Sequence, residues 1–172
     1  MRNPVDSLVA VVGEYFRHQV PEDTFYDEED GTTHRMRLVL KTIEHQPLSP
    51  TSWLQFDENN QEFYGVPLSK DIGKGEYKLV CTDSQGLSAP DGLIVLVKDR
   101  PKTESQMLEF ILKIDMEYDM LSNSAQRKVR LIIALAKLFD DPDTSNVVIH
   151  SFQPEPKPDS NRTSTIVRSD FV

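Results

Sequence analysis

The feature that most constrains the fold is a period-two alternation of apolar and polar side chains within the first hundred residues. In residues 35–43, the positions on one side of an extended chain are Met36, Leu38 and Leu40. Residues 76–82 repeat the pattern with Tyr77, Leu79 and Cys81. Such alternation is typical of a β-strand that buries one face. The sequence therefore predicts several strands that each turn one side toward a common core.

Other strand-like segments complete this pattern. Residues 93–97 are apolar on both faces, which favours a central strand. Two shorter segments, 52–56 and 61–65, flank a polar turn at 57–60. Short strands separated by turns are typical of a β-sandwich. We therefore expect a mainly β protein whose first domain, residues 1–101, is a cadherin- or Ig-like sandwich.

A different pattern begins after a polar linker at residues 99–103. Residues 107–121 alternate throughout, which predicts one long strand. Residues 125–139 carry apolar side chains at helical spacing behind candidate N-caps at 122–124, and so predict a helix. The two further strands predicted after it are residues 146–152 and 164–172.

The order β, α, β, β is most of a split β-α-β-β-α-β unit, with its last helix and strand missing. Three strands covered by one helix would leave apolar surface where the missing pieces should dock. We therefore expect residues 102–172 to form an incomplete α+β module of the ferredoxin-like type. The chain would then be either a fragment or a protein that a partner completes.

Composition and motifs argue against several classes of function. A net charge of −9 is unsuited to general nucleic-acid binding, and no apolar run is long enough for a signal sequence or a membrane span. The sequence has no catalytic motif, and its histidines and single cysteine lack the spacing of a zinc site or a Cys-His pair. We predict that the chain is not an enzyme and that Cys81 is a buried, inert thiol.

Clustered carboxylates offer the best candidate for a metal site, since calcium binds about six to eight oxygen ligands. The candidate ligands are Asp27, Glu28, Asp30 and, across space, Asp83. The segment does not fit the EF-hand pattern, because Tyr26 and Glu28 stand where Asp or Asn is needed. Two interpretations stay open: a weak calcium site or a solvated turn. Asp83 is likewise either a ligand or the corner of a hairpin.

The segment 52–56 carries two aromatic residues that could serve different purposes. On a strand, Trp53 and Phe56 are three positions apart and fall on opposite faces. One ring would then fill the core, while the other would be exposed as an interface anchor or would require a bulge. The alternative is that both rings pack under loops.

Four motifs occur in a single order along the first domain. They are P-x-D-T-F-Y-D-x-E-D at 21–30, S-W-x-Q-F at 52–56, Y-G-x-P at 64–67 and T-D-x-x-G-L-S-A at 82–89. With their surroundings, these motifs resemble the dystroglycan-type cadherin-like domain of the C-terminal part of the alpha subunit. Residues 104–172 resemble the SEA-like module that follows it in this family, through element order and a few residues.

The resemblance implies an extracellular, non-catalytic adhesion receptor, cut into an alpha subunit and a membrane-spanning beta subunit that stay associated. The receptor links laminin in the basement membrane to the dystrophin cytoskeleton, and sugars on an upstream segment, which nothing in this chain resembles, hold the laminin. The implied partner of the region present is the beta-dystroglycan ectodomain. The implied contact residues are Trp53 and Phe56, with Asp57 standing where relatives often have Asn. Asn161 begins an N-x-[ST] sequon, a glycosylation site if the chain is secreted.

Departures from the family bear on maturation and on calcium. No glycine follows Gly92, so the family's Gly-Ser cleavage pair is absent, as are its signal peptide, membrane span and proline-rich tail. Cadherin repeats complete a calcium site with an acidic linker, but residues 98–104 offer only two acids among basic residues. We therefore expect no cofactor beyond a weakly bound calcium ion. The rival interpretations are a calcium-dependent cadherin-like adhesion module and a sarcoglycan-like subunit, against which the SEA-like region argues.

Overall fold

A computed structural model of the protein describes residues 4–101, 108–154 and 165–171. Its helices are α1 (Tyr118–Ser122) and α2 (Ala125–Leu138). Its strands, in chain order, are β1 (Ser7–Val11), β2 (Phe16–Gln19), β3 (Tyr26–Asp27), β4 (Gly31–Thr32), β5 (Arg37–Thr42), β6 (Leu54–Asp57), β7 (Glu62–Gly65), β8 (Gly73–Thr82), β9 (Ser88–Lys98), β10 (Leu108–Ile114), β11 (Val148–Pro154) and β12 (Thr165–Phe171). The predicted mainly β class is confirmed.

Two facing sheets form the sandwich. The first sheet has the strand order β1-β9-β8-β5, and the second sheet has the order β2-β7-β6. β1 runs parallel to β9, whereas the other neighbours in these sheets are antiparallel. β3 and β4 form a separate small hairpin. β9 lies inside the first sheet, as its apolar run predicts, and the Ig-like sandwich is confirmed.

The sandwich closes on the residues that the alternation identifies. The buried residues of β5 and β8 are Leu38, Leu40, Leu79 and Cys81, and Met36, just before β5, is buried with them. Tyr77 is partly buried against the same core, and Leu54 and Phe63 meet it from the second sheet. Because burying a side chain such as Leu or Phe contributes about 1.5–3 kcal/mol, this core is the main source of the sandwich's stability.

The second region has a three-stranded sheet, here called the third sheet, with the order β10-β12-β11. Both pairings are antiparallel. The prediction of one long strand over 107–121 is wrong, because β10 ends at Ile114 and α1 follows. Tyr118 and Leu121 are three positions apart, so one turn of helix brings both to the same side, and Leu121 is buried there.

Helix α2 forms where helical spacing predicts it. Its N-cap is Ser124, whose Oγ accepts a hydrogen bond from the Arg127 backbone N–H at 3.3 Å. The apolar side chains that it buries are Ala125, Val129, Ile132, Leu135 and Ala136. The helix ends at Leu138, and Phe139 at its C-cap is 41% exposed and stacks on Phe110 with ring centroids 5.8 Å apart.

The two regions share an apolar cluster. It combines buried residues of α2 and β11 with Val66, which follows β7 and is 0% exposed. A backbone hydrogen bond joins the same regions, because Ile149 N–H donates to the Gly13 carbonyl at 2.9 Å. Gly13 itself is held within the sandwich, where its N–H donates to the Pro67 carbonyl at 2.8 Å. Gly13 has φ +80°, and a Cβ there would collide with the Ile149 carbonyl oxygen. Only glycine fits this junction.

Candidate partner-binding site

Trp53 lies just before β6 and is only 8% exposed. Its ring meets that of Phe16 edge to face, with centroids 5.9 Å apart. A Cβ on Gly65 would collide with the Trp53 carbonyl oxygen, so the glycine allows the two backbones to approach closely. Trp53 therefore builds the sandwich core and positions β6, the strand that ends the described second sheet.

Phe56 also packs inward. It lies on the same face of β6 as the buried Leu54, and its ring centroid is 4.9 Å from that of Phe63. The opposite-face argument does not apply, because the strand begins at Leu54 and leaves Trp53 outside it. Of the two alternatives, both rings pack against the core, and neither is the exposed anchor.

Asp57 ends β6 and holds the turn that follows. Its Oδ1 accepts hydrogen bonds from the backbone N–H groups of Asn59 and Asn60, at 2.9 and 3.1 Å. Its Oδ2 accepts a third bond from the Asn60 side-chain amide at 2.8 Å. The Asn60 backbone and side-chain bonds, which favour the charged carboxylate, lower the pKa of Asp57 below its usual value.

A cleft of about 290 Å³ lies where the second sheet meets α2. Its lining residues are Tyr15, Arg17, Asp57, Asn60, Glu62, Tyr64 and Gln126. Arg17 donates to both carboxylate oxygens of the largely buried Glu62, with Nη2 and Oε2 2.9 Å apart. Burial, followed by the Glu62 charge, raises the pKa of Tyr15. Sequence reasoning missed this cleft, because no pattern along the chain signals a contact between 57–64 and 126.

The predicted calcium ligands make hydrogen bonds to backbone groups. Asp27 Oδ1 accepts from Glu29 and Asp30, each at 2.9 Å, and Asp30 Oδ2 accepts from the Ser84 N–H at 2.7 Å. Glu28 is exposed in the same turn. Within the part of the chain that the structure describes, no group of three or more His, Cys, Asp or Glu residues is placed to hold a metal ion. The calcium site stays a prediction.

Asp83 is the corner of the β8–β9 hairpin. Its Oδ1 accepts from the N–H groups of Gln85 and Leu87 at 2.9 and 2.8 Å, and Gly86 supplies the left-handed conformation of the turn at φ +88°. Nearby, burial first and the Asp83 charge second raise the pKa of Cys81 to about 11. This thiol therefore stays protonated and unreactive at neutral pH.

The edge of the third sheet is a further candidate for partner contact. β10 is the end strand of this sheet among residues 108–154 and 165–171. On its helix-facing side, Leu112 and Ile114 pack against the apolar cluster that contains α2. On its other side, Ile111 is 62% exposed. The sequon at Asn161 lies outside the described residues.

None of the helices in the described ranges is long and apolar enough to cross a membrane.

The family model of the third Ig-like domain of alpha-dystroglycan matches residues 1–98. This match covers the sandwich from β1 to β9.

Several solved structures of Ig-like or cadherin domains are similar to the chain. The first Ig-like domain of human CD48 antigen has 12% identity and a TM-score of 0.39 over 59% of this chain and 89% of that one. The eight N-terminal Ig domains of Down syndrome cell adhesion molecule have 13% identity and a TM-score of 0.38. That alignment covers 99% of this chain and 23% of the other.

Cadherin domains 3–6 of protocadherin gamma B2 have 11% identity and a TM-score of 0.37. The alignment covers 96% of this chain and 37% of the protocadherin, so the chain spans well under half of that structure. The match to the family model is of a different kind, because it extends over more than half of the present sequence. The chain therefore belongs to the family of the third Ig-like domain of alpha-dystroglycan and carries an extracellular, adhesion-type module.

Proposed function

We propose that this chain is a non-catalytic binding module of a dystroglycan-type receptor, and that it holds the ectodomain of the beta subunit at the β10 edge of its third sheet. In such a receptor, the module would help connect laminin-containing basement membrane to the dystrophin cytoskeleton. Laminin itself would be bound by glycans on a different segment.

The strand order β10-β12-β11 carries this proposal. A complete ferredoxin-like sheet has the strand order 4-1-3-2, and the described strands occupy positions 1, 3 and 2. The fourth position is therefore next to β10. A sheet edge of this kind can accept a strand from another chain, because main-chain hydrogen bonds supply affinity and alternate side chains supply specificity.

The segment around Trp53 would support binding by positioning the turn after β6, and not by placing an exposed ring in the interface. Trp53 and Phe56 both contact the sandwich core, so they fix β6 and the turn that Asp57 holds. That turn borders the cleft shared with α2. We infer that Trp53 and Phe56 are positioning residues, and that a beta subunit bound near them would contact the rim at Asp57 rather than the indole ring.

The test is hydrogen exchange on the whole chain with and without a recombinant beta-subunit ectodomain. We expect the amides of β10 to gain protection on binding, since an added strand pairs with that edge, while those of β5 at the far end of the first sheet stay unchanged. Binding without added protection in β10 would overturn the proposed edge. Absence of binding at micromolar concentrations would overturn the partner.

A matched pair of variants gives a second readout. Ile111→Glu puts a charge beside the proposed strand, and Ile43→Glu makes the same change at an isoleucine of similar type that is 45% exposed in the sandwich. We expect Ile111→Glu to weaken binding by about tenfold, as for an apolar interface residue worth roughly 1–2 kcal/mol. Ile43→Glu should leave the affinity within about twofold, because exposed positions tolerate such changes.

A further inference from the structure

The outer face of the first sheet carries an apolar centre with a basic rim. We call it the lysine-rimmed face. Its apolar centre is formed by Val9, Ile94 and Leu96, and Val39 and Val80 form a second apolar pair on the same face. Its basic residues are Arg37, Lys41, Lys74, Lys78 and Lys98. Strand register places Leu96 between Val9 and Lys74, and it places Lys41 opposite Lys78 in a row that separates this centre from the Val39–Val80 pair.

Burying the inner face does not account for this composition. The residues that alternate with the lysine-rimmed face, such as Leu79, Leu93 and Val95, already fill the sandwich core. The solvent side of such a sheet is normally polar, yet Val9 is 52% and Ile94 is 37% exposed. The apolar centre is therefore surface that this sandwich leaves uncovered.

The charge of this face is opposite to that of the protein. The chain has a net charge of −9, but Glu76 is the acidic residue that shares the face with the five basic ones, and it pairs with Lys74 at 2.6 Å. Arg37 pairs with Glu58 at 3.2 Å. Among the described residues, Lys41, Lys78 and Lys98 form no ion pair, and the Lys78 ammonium lies 2.8 Å from His45 Nε2.

Protection against strand pairing could explain Lys41, which lies on the edge strand β5, but it does not explain the lysines that border the apolar centre. Edge strands often carry lysine to prevent aggregation, but Lys74 and Lys78 are on β8 and Lys98 is on β9, and both strands are interior to the sheet. Lysines on interior strands guard no edge. Their positions around an apolar centre are instead the arrangement of an interface core with a charged rim.

We propose that the lysine-rimmed face binds an acidic protein segment that places apolar side chains on Val9 and Ile94 and carboxylates on the surrounding lysines. Charge complementarity selects this occupant, because a net charge of −9 disfavours acidic partners overall, whereas the basic side chains of this face attract them locally. The face belongs to the first sheet, so this interaction is separate from the one proposed at β10. A sulfated polysaccharide or an anionic lipid surface would use the lysines but would have no need of Val9 and Ile94.

The test uses the whole chain and a fluorescent synthetic peptide of alternating glutamate and leucine, with anisotropy as the readout. We expect saturable binding that weakens as salt is raised, because rim charges are screened. The double variant Lys41→Glu/Lys98→Glu should weaken binding by about tenfold, since two attractions become repulsions. Ile94→Thr should weaken it by about threefold through lost apolar contact.

The control variant is Lys137→Glu, which makes the same charge change on the exposed side of α2. It should alter the affinity by less than about twofold, since its distance from the face leaves only screened, long-range repulsion. Equal losses in Lys137→Glu and the double variant would overturn the proposal, as would absence of peptide binding. A third outcome would also overturn the proposal: heparin or anionic vesicles bind the chain, the double variant Lys41→Glu/Lys98→Glu loses this binding, and Ile94→Thr leaves it unchanged.

Discussion

The sandwich and the α+β region differ in how they complete their cores. The sandwich closes between two sheets of its own, and Leu38, Leu54 and Phe63 are fully buried inside it. The α+β region has one sheet with α2 packed against it, and its apolar cluster includes Val66 from the sandwich. One region is self-contained, while the other depends on its neighbour. The α+β region therefore needs contacts with the sandwich to complete its core, whereas the sandwich core is complete in itself.

The largest expected effect tests whether the sandwich supports both regions. Trp53→Ala removes a buried indole, and such changes cost about 3–5 kcal/mol because they leave a cavity. Urea unfolding followed by circular dichroism should show a loss of this size, with the α+β signal lost in the same transition. Leu87→Ala, at a residue that is 70% exposed, is the control and should change stability by less than about 0.5 kcal/mol.

The junction between the regions can be broken separately. Gly13→Ala forces a left-handed φ on a residue with a Cβ and pushes that Cβ into the Ile149 carbonyl, at a cost of about 1–3 kcal/mol. We expect the α+β region to unfold before the sandwich in this variant. Tryptophan fluorescence reports the sandwich alone, because Trp53 is the single tryptophan, and ellipticity at the helical band reports α2. Coincident transitions would contradict a separable junction.

Lys128 offers a smaller, stabilising change at the same junction. It is 1% exposed on α2, and burial, opposed by the Asp71 charge, lowers its pKa. Because the unfolded chain then binds more protons, stability should rise with pH between the lowered folded value and the ordinary lysine pKa. Lys128→Met should stabilise the protein by about 1 kcal/mol and flatten that rise. A rise with pH that is undiminished in the variant would show that Lys128 is not its source.

The smallest expected effect concerns calcium and the acidic turn. If Asp27, Glu28, Asp30 and Asp83 bind the ion with a Kd of about 1 mM, then about 1 mM calcium stabilises the protein by only about 0.4 kcal/mol. Thermal melts in calcium and in chelator should therefore nearly coincide. Asp30→Asn, which retains an oxygen for the Ser84 N–H, is the matched variant. A shift of several degrees that this variant abolishes would establish a tight site and favour a calcium-dependent adhesion module.

Much of the sandwich could be predicted from the sequence because its core residues recur at period two. Met36, Leu38 and Leu40 are identified by local pattern alone, and so is the turn at Asp83. The boundary between β10, which ends at Ile114, and α1 could not be predicted in this way. The residues from Tyr118 to Leu121 fit helical spacing, but they also continue the period-two alternation of the strand before them.

The candidate site was harder to predict than the fold. The spacing predicts Trp53 on a strand whose first residue is Leu54, and the alternation of faces does not extend to a residue that lies outside the strand. The junction brings Ile149 to Gly13 and Val66, which precede it by 136 and 83 positions, and a single sequence has no signal for such contacts. The order of strands in the third sheet likewise depends on pairing between distant segments.

The parallel pairing of β1 with β9 has a mechanical consequence for an adhesion module. β1 is the first strand of the sandwich and β9 the last, and five residue pairs join them from Ser7 with Ile94 to Val11 with Lys98. Tension applied before β1 and after β9 pulls the two strands in opposite directions along their length. The hydrogen bonds between them then share the load in shear instead of opening one at a time, so the sandwich resists extension along the axis of its chain ends.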